Sequence, residues 1–507
     1  MQKKGAQRER ILHLLEEEGG VTEEAVQRIS LETGVPEADI WGTGLFYTLI
    51  SSPGKRVRVC DGLSCRIKGS DELLARLTEE GKECETASCL GQCDRAPATL
   101  DENLEQVCYG GVERGVMPDD PLLPMNLGGP RVDSYSSLAK AKEIGSDAVI
   151  SEIEAAGLQG RGGAAFPAHI KWKGVRGQAE TERYVICNAD EAEPGTFKDR
   201  EIILRQPHLL LEGLAIAAYA VGAKNICIYI RGEFTSERRM IEKAIEEAGD
   251  KISNFEWEIY NGHGAYICGE ETALLESMEG KRGMPRLKPP YPTEFGFRGK
   301  PTLMHNVETA ACVPAIVSRG GEWFKGLGRT EPGTKLYCVS GHVHKPGVYE
   351  LPLGVTLDEL VDQAGGYEGN PMAFSPGGPS SGFLPISARD VPLDFGNLAK
   401  AGSMLGSAGL VVLNDTVDMA KATKWQLDFF ERESCGQCAP CRIGTRYLRR
   451  QIDSYLADGD PGSLEFAGDV GWEMEEGSIC GLGMVAAKPL ESAMRHFPEV
   501  FGERSEK

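Results

Sequence analysis

Glu433-Ser434-Cys435-Gly436-Gln437-Cys438-Ala439-Pro440-Cys441-Arg442, with Cys480 farther on in Ser478-Ile479-Cys480-Gly481, decides how the C-terminal end of this chain folds. Three thiolates separated by two residues each can take three corners of a cubane iron–sulfur cluster, and the fourth ligand must then come from elsewhere in the chain. Cys480 is placed to supply it. A four-thiolate zinc site and plain surface thiols are the alternatives; zinc favours two paired Cys-x-x-Cys arms, which a triple with one remote partner does not provide. Helical patterns surround these cysteines from Thr423 onward, so the expected unit is a helical bundle holding a [4Fe–4S] cluster.

A second set lies near the other end. Cys60 and Cys65 in Val-Cys-Asp-Gly-Leu-Ser-Cys are followed by Cys89 and Cys93 in Ser-Cys-Leu-Gly-Gln-Cys-Asp-Arg. Two pairs on short loops can grip a [2Fe–2S] rhomb from both sides. Zinc remains open here too, although the spacings are wider than a zinc knuckle uses. Cys84 lies outside the Cys-Leu-Gly-Gln-Cys loop and is read as a non-ligand.

Composition narrows the rest. A chain of 507 residues with 41% hydrophobic content is long enough for several domains with ordinary cores. Its longest apolar stretch, Leu209 to Ala223, is interrupted by Glu212 and is too short to span a bilayer, and Met1-Gln-Lys-Lys-Gly5 has no signal-like apolar run. The cytoplasm is therefore the expected compartment. Fifteen cysteines in such a chain read as metal ligands plus buried thiols, the latter including Cys187, Cys227, Cys268, Cys312 and Cys338. A net charge of −21, from 55 basic and 76 acidic residues, argues against a nucleic-acid surface.

Along the chain, residues 7–47 carry helical periodicity through Ile11, Leu14, Leu15, Ala25, Ile29 and Leu31, with a start at Thr22. From Lys55 a strand delivers Cys60, and a helix over Ser70 to Glu80 completes a thioredoxin-like α/β module. Met117 to Tyr135, rich in Pro, Gly and Asp, reads as a linker. Beyond it strands such as Tyr184–Cys187 and Ile226–Ile230 alternate with helices over Leu209–Ala220, Glu237–Ala248 and Glu270–Met278, the signature of a largely parallel sheet. Short β runs return from Lys335 to about Leu413.

Three segments of the α/β region carry ligand-binding character. Gly160-Arg161-Gly162-Gly163-Ala164-Ala165-Phe166-Pro167 lets a phosphate approach the backbone, but a helix rather than a strand precedes it, so the usual dinucleotide-binding context is missing. Cys187-Asn-Ala-Asp-Glu-Ala-Glu-Pro-Gly195 ends a strand, and Gly262-His-Gly-Ala-Tyr-Ile-Cys-Gly-Glu-Glu271 opens a helix. Such loops sit where open α/β sheets bind ligands, though a solvated turn explains either one taken singly. Clusters pass single electrons, so a chain with two of them that is to use a nicotinamide needs a group that also exchanges electrons in pairs, and a flavin does both.

With Arg-Leu-Lys-Pro-Pro-Tyr-Pro (286–292) and Asn306-Val-Glu-Thr309 added, the chain resembles the NADH-binding flavoprotein subunit of respiratory complex I, fused to that complex's small [2Fe–2S] subunit. Diaphorase subunits of NAD-coupled hydrogenases and formate dehydrogenases share this arrangement. The resemblance implies FMN held by Gly160, Gly162, Lys171, Asn188, Asp190, Tyr266, Gly269, Glu270, Asn306 and Thr309, with Arg161, Gly163 and His305 further cofactor-binding candidates. It implies NADH against Phe166, Glu193, Glu271, Lys288 and Tyr291, and clusters on the eight cysteines Cys60, Cys65, Cys89, Cys93, Cys435, Cys438, Cys441 and Cys480. Hydride would pass between cofactors with no catalytic side chain, and single electrons would pass to or from partner redox subunits of a hydrogenase, formate dehydrogenase, other reductase or bifurcating assembly.

The expected fold is α/β multidomain: N-terminal helices (1–54), a thioredoxin-like [2Fe–2S] domain (55–116), a linker (117–136), a Rossmann-like FMN/NADH domain (137–333), a β-grasp-like domain (334–415) and a helical [4Fe–4S] domain (416–507). Four departures from the family stand out. Ala192 and His305 occupy places where serine and asparagine are usual beside the flavin, and Ala165 and His263 replace common glycines. Ala192 and His305 motivate the rival reading, a cluster-bearing electron-transfer or scaffold subunit that has lost flavin function.

Overall fold

The computed structural model describes residues 7–51, 56–109, 113–115 and 117–502. Lys55, where a strand was expected to begin, and the boundaries at 54/55 and 116/117 involve residues outside this set.

The helices Ile11–Glu17, Glu23–Thr33 and Glu37–Gly44 lie in the N-terminal segment. Thr22 caps the second by accepting a hydrogen bond from the Ala25 amide at 3.2 Å. Ile11, Leu15, Ala25 and Ile29 are buried as the periodicity requires, but Leu31 is 88% exposed, since it falls on the outer face of its helix.

β1 (Val57–Cys60), β2 (Cys84–Ala87), β3 (Ala98–Leu100) and β4 (Gln106–Cys108) form a sheet in the order β2-β1-β3-β4. β1 and β2 run parallel with the helix Ser70–Glu79 as their crossover, and β3 and β4 are antiparallel. This is the expected thioredoxin-like unit. Cys60 ends β1, Cys65 lies in the short helix Leu63–Arg66, and Cys89 and Cys93 stand on the loop between β2 and β3.

β5 (Tyr184–Ala189), β6 (Asn225–Ile230), β7 (Glu256–Asn261) and β8 (Thr302–Asn306) make an all-parallel sheet in the order β7-β6-β5-β8, the half-Rossmann arrangement. Burial alternates along it. Val185, Cys187, Ile226, Ile228 and Leu303 join a core with the helices Pro207–Val221 and Val307–Arg319. Tyr184, Ile186, Cys227, Tyr229 and Met304, on the opposite face, join a core that also contains the N-terminal helices and the C-terminal bundle. Burial on both faces is what an all-parallel sheet demands.

β9 (Thr334–Gly341), β10 (Gly347–Pro352), β11 (Pro371–Ser375), β12 (Leu384–Pro385) and β13 (Gly409–Asn414) form a mixed sheet in the order β10-β9-β13-β11-β12. Its central pair, β9 with β13, is parallel and the outer pairs are antiparallel, the β-grasp pattern. The helices Met419–Glu433, Ala439–Asp458, Ala467–Gly477 and Lys488–His496 build the C-terminal bundle. The first begins at Met419, ahead of Thr423, because the Asp418 carboxylate caps it through the Ala420 and Lys421 amides.

The stretch 117–135 is irregular, yet it is no loose tether. Met117, Met125, Leu127 and Tyr135 are buried in the core of the parallel-sheet domain, and the Glu350 carboxylate accepts from the Met125 and Asn126 amides. Four anchors were hidden within a Pro- and Gly-rich composition. Among the described residues no helix is long and apolar enough to cross a membrane.

Candidate functional site

β5, β7 and β8 end at the same edge of their sheet, so the loops 188–195, 262–271 and 306–309 gather beside the glycine turn 160–166. The turn closes on itself through the Gly160 amide and the Phe166 carbonyl, 2.9 Å apart, and the Arg161 amide donates to Thr309 Oγ1 at 2.8 Å. Gly162 lies against Asn306 so tightly that a Cβ there would stand 3.0 Å from the Asn306 Cβ. Ala165 holds a left-handed φ of 53°, a strained backbone for alanine. The Arg161 guanidinium turns inward to the Pro332 carbonyl, at 3.1 Å, leaving only its backbone on the turn.

Asn188 ties two loops together, its Nδ2 donating to the Gly269 carbonyl at 2.9 Å while its Oδ1 accepts from the Asp190 amide at 3.1 Å. Asp190 Oδ2 is shut away from solvent with no hydrogen-bond partner. Burial pushes its pKa well up, against the pull of Arg231. An orphaned carboxyl oxygen at a strand end is an acceptor suited to a hydroxyl of a bound ligand. Asn306 receives Lys198 at 3.2 Å and donates to Asp199 at 2.5 Å, and it caps the helix Val307–Arg319 through the Glu308 amide.

Glu270 and Glu271 divide their tasks. Glu270 caps the helix Glu271–Met278 by accepting from the Thr272 and Ala273 amides at 2.8 and 2.9 Å, and it also meets Lys288 at 2.7 Å. Glu271 lies between Lys171, at 2.8 Å, and Lys288, at 3.0 Å. Burial raises its pKa, but the two ammonium groups outweigh burial and hold it down at about 2. Phe166 and Tyr291 are 46% and 52% exposed, so they are available surfaces rather than core aromatics. The Phe166 ring centre is 5.9 Å from Lys171 Nζ.

Glu193 is half-buried. The Tyr266 hydroxyl donates to one carboxylate oxygen and the Ser380 amide to the other, at 3.1 Å, which brings a loop of the β-grasp domain to the site. His305 is buried and accepts from Trp172 Nε1 at 2.6 Å. Burial, helped by the Lys171 charge, lowers its pKa to about 3, so it is a neutral imidazole. With Nε2 occupied as an acceptor, its proton sits on Nδ1.

The C-terminal cysteines adjoin these loops. Cys435, Cys438 and Cys441 bracket the start of the helix Ala439–Asp458, and Cys480 precedes the short helix Gly481–Val485. The Tyr266 amide donates to Glu433, two residues before Cys435, at 3.0 Å, and the Tyr266 ring meets Phe429 edge-on at 4.9 Å. Burial first, then the neighbouring thiols, raise Cys441 to about 12 and Cys480 to about 11. In the N-terminal set the Cys60 thiol and burial drive Cys65 up and the Cys89 thiol and burial drive Cys93 up, whereas the Cys93 thiol, with the Arg231 charge, brings Cys89 down against burial. Groups of four crowded, partly desolvated thiols suit a cationic cluster that relieves the cost of ionising them.

Several residues at the site escaped the sequence reading. Trp172, Lys198, Asp199 and Glu433 each bond a candidate residue or the element that bears it, and Glu308 with Lys335 forms a buried ion pair beneath Asn306. The run Lys198-Asp-Arg-Glu201 resembles a solvated turn in sequence; its only signal was position, directly after the 187–195 loop.

Residues 153–315 match the family described as Nuo51 FMN-binding domain, 421–504 the NADH-ubiquinone oxidoreductase-F iron-sulfur binding region, 336–384 the SLBB domain and 1–108 the thioredoxin-like [2Fe-2S] ferredoxin. An NADH-quinone oxidoreductase F subunit of Rhizobium meliloti, the one numbered 2, is 45% identical over 406 residues, 76% of this chain and 94% of that one. The corresponding F subunit of Rickettsia typhi is 44% identical over 391 residues, 74% and 92% of the two chains. The crystal structure of an NAD+-reducing [NiFe]-hydrogenase in its air-oxidized state superposes with a TM-score of 0.89 at 32% identity, covering 97% of this chain and 93% of that chain. This chain therefore belongs to the family of the NADH-quinone oxidoreductase F subunits, with a thioredoxin-like [2Fe–2S] domain joined at its N-terminal side.

Proposed function

We propose that the chain is the NADH-oxidising input module of a larger redox assembly, working in the cytoplasm, and that the crevice at the ends of β5, β7 and β8 is its flavin and nicotinamide site. One observation carries this reading: the Tyr266 loop of the crevice is hydrogen-bonded to the helix end that leads into Cys435. FMN, when bound, supplies the exchange between paired and single electrons. The chain's own residues supply the rest. Gly160, Gly162 and Gly163 leave room for a close approach to the backbone, Asn188, Asp190, Asn306 and Thr309 offer polar contacts to a flavin, and Lys171 offsets phosphate charge. Phe166, Glu193, Glu271, Lys288 and Tyr291 form the nicotinamide side, and the eight cysteines hold the two clusters. The division into units at residues 54, 116, 136, 333 and 415 is part of the same reading.

Partners follow from the relatives' chemistry, a quinone reductase and an NAD+-reducing hydrogenase, so electrons leave or enter through another redox subunit of the assembly. The test is anaerobic purification followed by a flavin spectrum and NADH addition. A bound flavin bleached by NADH supports the module; protein that carries both clusters but neither retains nor responds to FMN would establish the scaffold reading instead.

A further inference from the structure

Two buried arginines of the parallel-sheet domain, Arg200 and Arg231, reach across to the cysteine loop between β2 and β3. Arg200, on the helix Lys198–Arg205, donates to the Gly91 carbonyl at 2.9 Å and to both Asp94 carboxylate oxygens at 2.8 Å. Arg231, directly after β6, donates to the Cys89 carbonyl at 2.6 Å and to the Glu191 carbonyl at 2.5 Å. One guanidinium thus joins a candidate cluster ligand to the residue beside Asp190. The fit is close: a Cβ on Gly91 would lie 2.8 Å from the Phe234 ring and 3.4 Å from Arg231 Nη1. That ring also lies 5.1 Å from the Arg231 guanidinium carbon.

The charges are not balanced equally. Arg200 has two carboxylates, Asp94 and Glu201, whereas Arg231 has one direct partner, Glu233 at 2.9 Å. If the junction needed only cohesion, apolar residues of similar volume would serve at least as well as a desolvated ion pair. A cation against a cluster ligand does something apolar packing cannot. Reduction adds an electron to the cluster, and nearby positive charge and hydrogen-bond donors in a water-poor site favour the reduced form.

We propose that Arg231 is a positioning residue that raises the reduction potential of the cluster on Cys60, Cys65, Cys89 and Cys93 while fixing its loop against the 189–191 strand end. Glu233 moderates the same effect. This rests on the assignment of those four cysteines to a [2Fe–2S] cluster made under Proposed function.

The experiment is a redox titration of the full chain, followed by the paramagnetic signal of the reduced two-iron cluster, in the parent, Arg231→Gln, Arg231→Lys and Glu233→Gln. Arg231→Gln is expected to shift the reduction equilibrium toward the oxidised form about tenfold, or about 59 mV for one electron. Arg231→Lys keeps the charge and should restore most of the shift, and Glu233→Gln should move the potential the opposite way. The C-terminal cluster's potential should stay put in all three. An unmoved potential in cluster-loaded Arg231→Gln overturns the proposal. Should that variant fail to hold its cluster, Glu233→Gln decides, because it retains the arginine: an upward shift supports the proposal, and no shift or a downward one overturns it. A parent protein without a two-iron signal would overturn the ligand assignment itself, a different result from a signal that does not move.

Discussion

Lys171 Nζ stands 2.8 Å from the Glu271 carboxylate, which keeps a partly buried acid ionised at the mouth of the candidate nicotinamide site. With its pKa at about 2, Glu271 is negative at every working pH. An adenosine 2′-phosphate brought near it meets repulsion that a 2′-hydroxyl does not. NADH should therefore be strongly preferred to NADPH. Glu271→Gln removes that charge and releases Lys171 and Lys288 to attract a phosphate, so the ratio of kcat/KM values should narrow by about tenfold or more. Equal specificity constants in the parent would refute the assignment.

Asp190 presents a carboxyl oxygen with no partner in the protein. If a flavin hydroxyl completes it, Asp190→Ala should weaken FMN retention by about 1–3 kcal/mol, roughly one to two powers of ten in Kd, while Asp190→Asn keeps an acceptor and should retain more. Fluorescence titration of flavin into stripped protein reads this directly. Identical affinities for the parent and Asp190→Ala would place the flavin elsewhere.

His305 gives a pH signature. Its folded pKa, about 3, lies below the ordinary histidine value of 6.5. The unfolded chain therefore binds the extra proton over that interval, and the contribution of His305 to stability is intact above about pH 6.5 and is lost as pH falls toward 3. Replacement by asparagine, which cannot take up that proton, should flatten the acid limb of Tm against pH between about 6.5 and 3. Parallel curves for both proteins would show that burial and the Lys171 charge do not hold the ring neutral.

How much of this was legible beforehand depends on the range of each interaction. Thiol spacing and strand-end loops are local patterns, and they led to the cysteine sets and to the turn at Gly160. The alternation around Val185 and Ile226 likewise exposed a sheet buried on both faces. Pairings between distant segments were not legible. Arg432 meets Asp61, beside Cys60, at 2.7 Å, and Lys335 finds Glu308 within the core. Nothing in a charged residue's immediate sequence tells whether its partner is water or a carboxylate hundreds of positions away. Leu31 shows the converse error, because a helical apolar pattern does not say which residues at its margin face outward.

Cys84 sits on β2, in register with Val57, and belongs to a small core apart from the one that contains Cys60 and Cys65. Cys84→Ser should consequently leave the two-iron paramagnetic signal at full intensity, while Cys89→Ser should abolish or alter it. Loss of the signal in Cys84→Ser with retention in Cys89→Ser would reverse the ligand assignment.

Hydride acceptance and electron exit should be separable at Cys441. This buried thiol lies in the helix Ala439–Asp458, on a different element from every crevice residue, and its hydrogen-bond partner is Ser434, at 3.2 Å. Cys441→Ser should therefore spare bleaching of bound flavin by NADH while cutting electron delivery to the redox partner at least about tenfold. A cluster site can unfold its surroundings when the cluster is lost, so the variant must first show a native melting transition and bound flavin. Stopped-flow absorbance measures the first step and partner-linked turnover the second. Unimpaired turnover would reject this cluster as an obligatory relay. A folded, flavin-loaded variant that NADH cannot bleach would instead show that the Tyr266–Glu433 link makes the two sites a single unit.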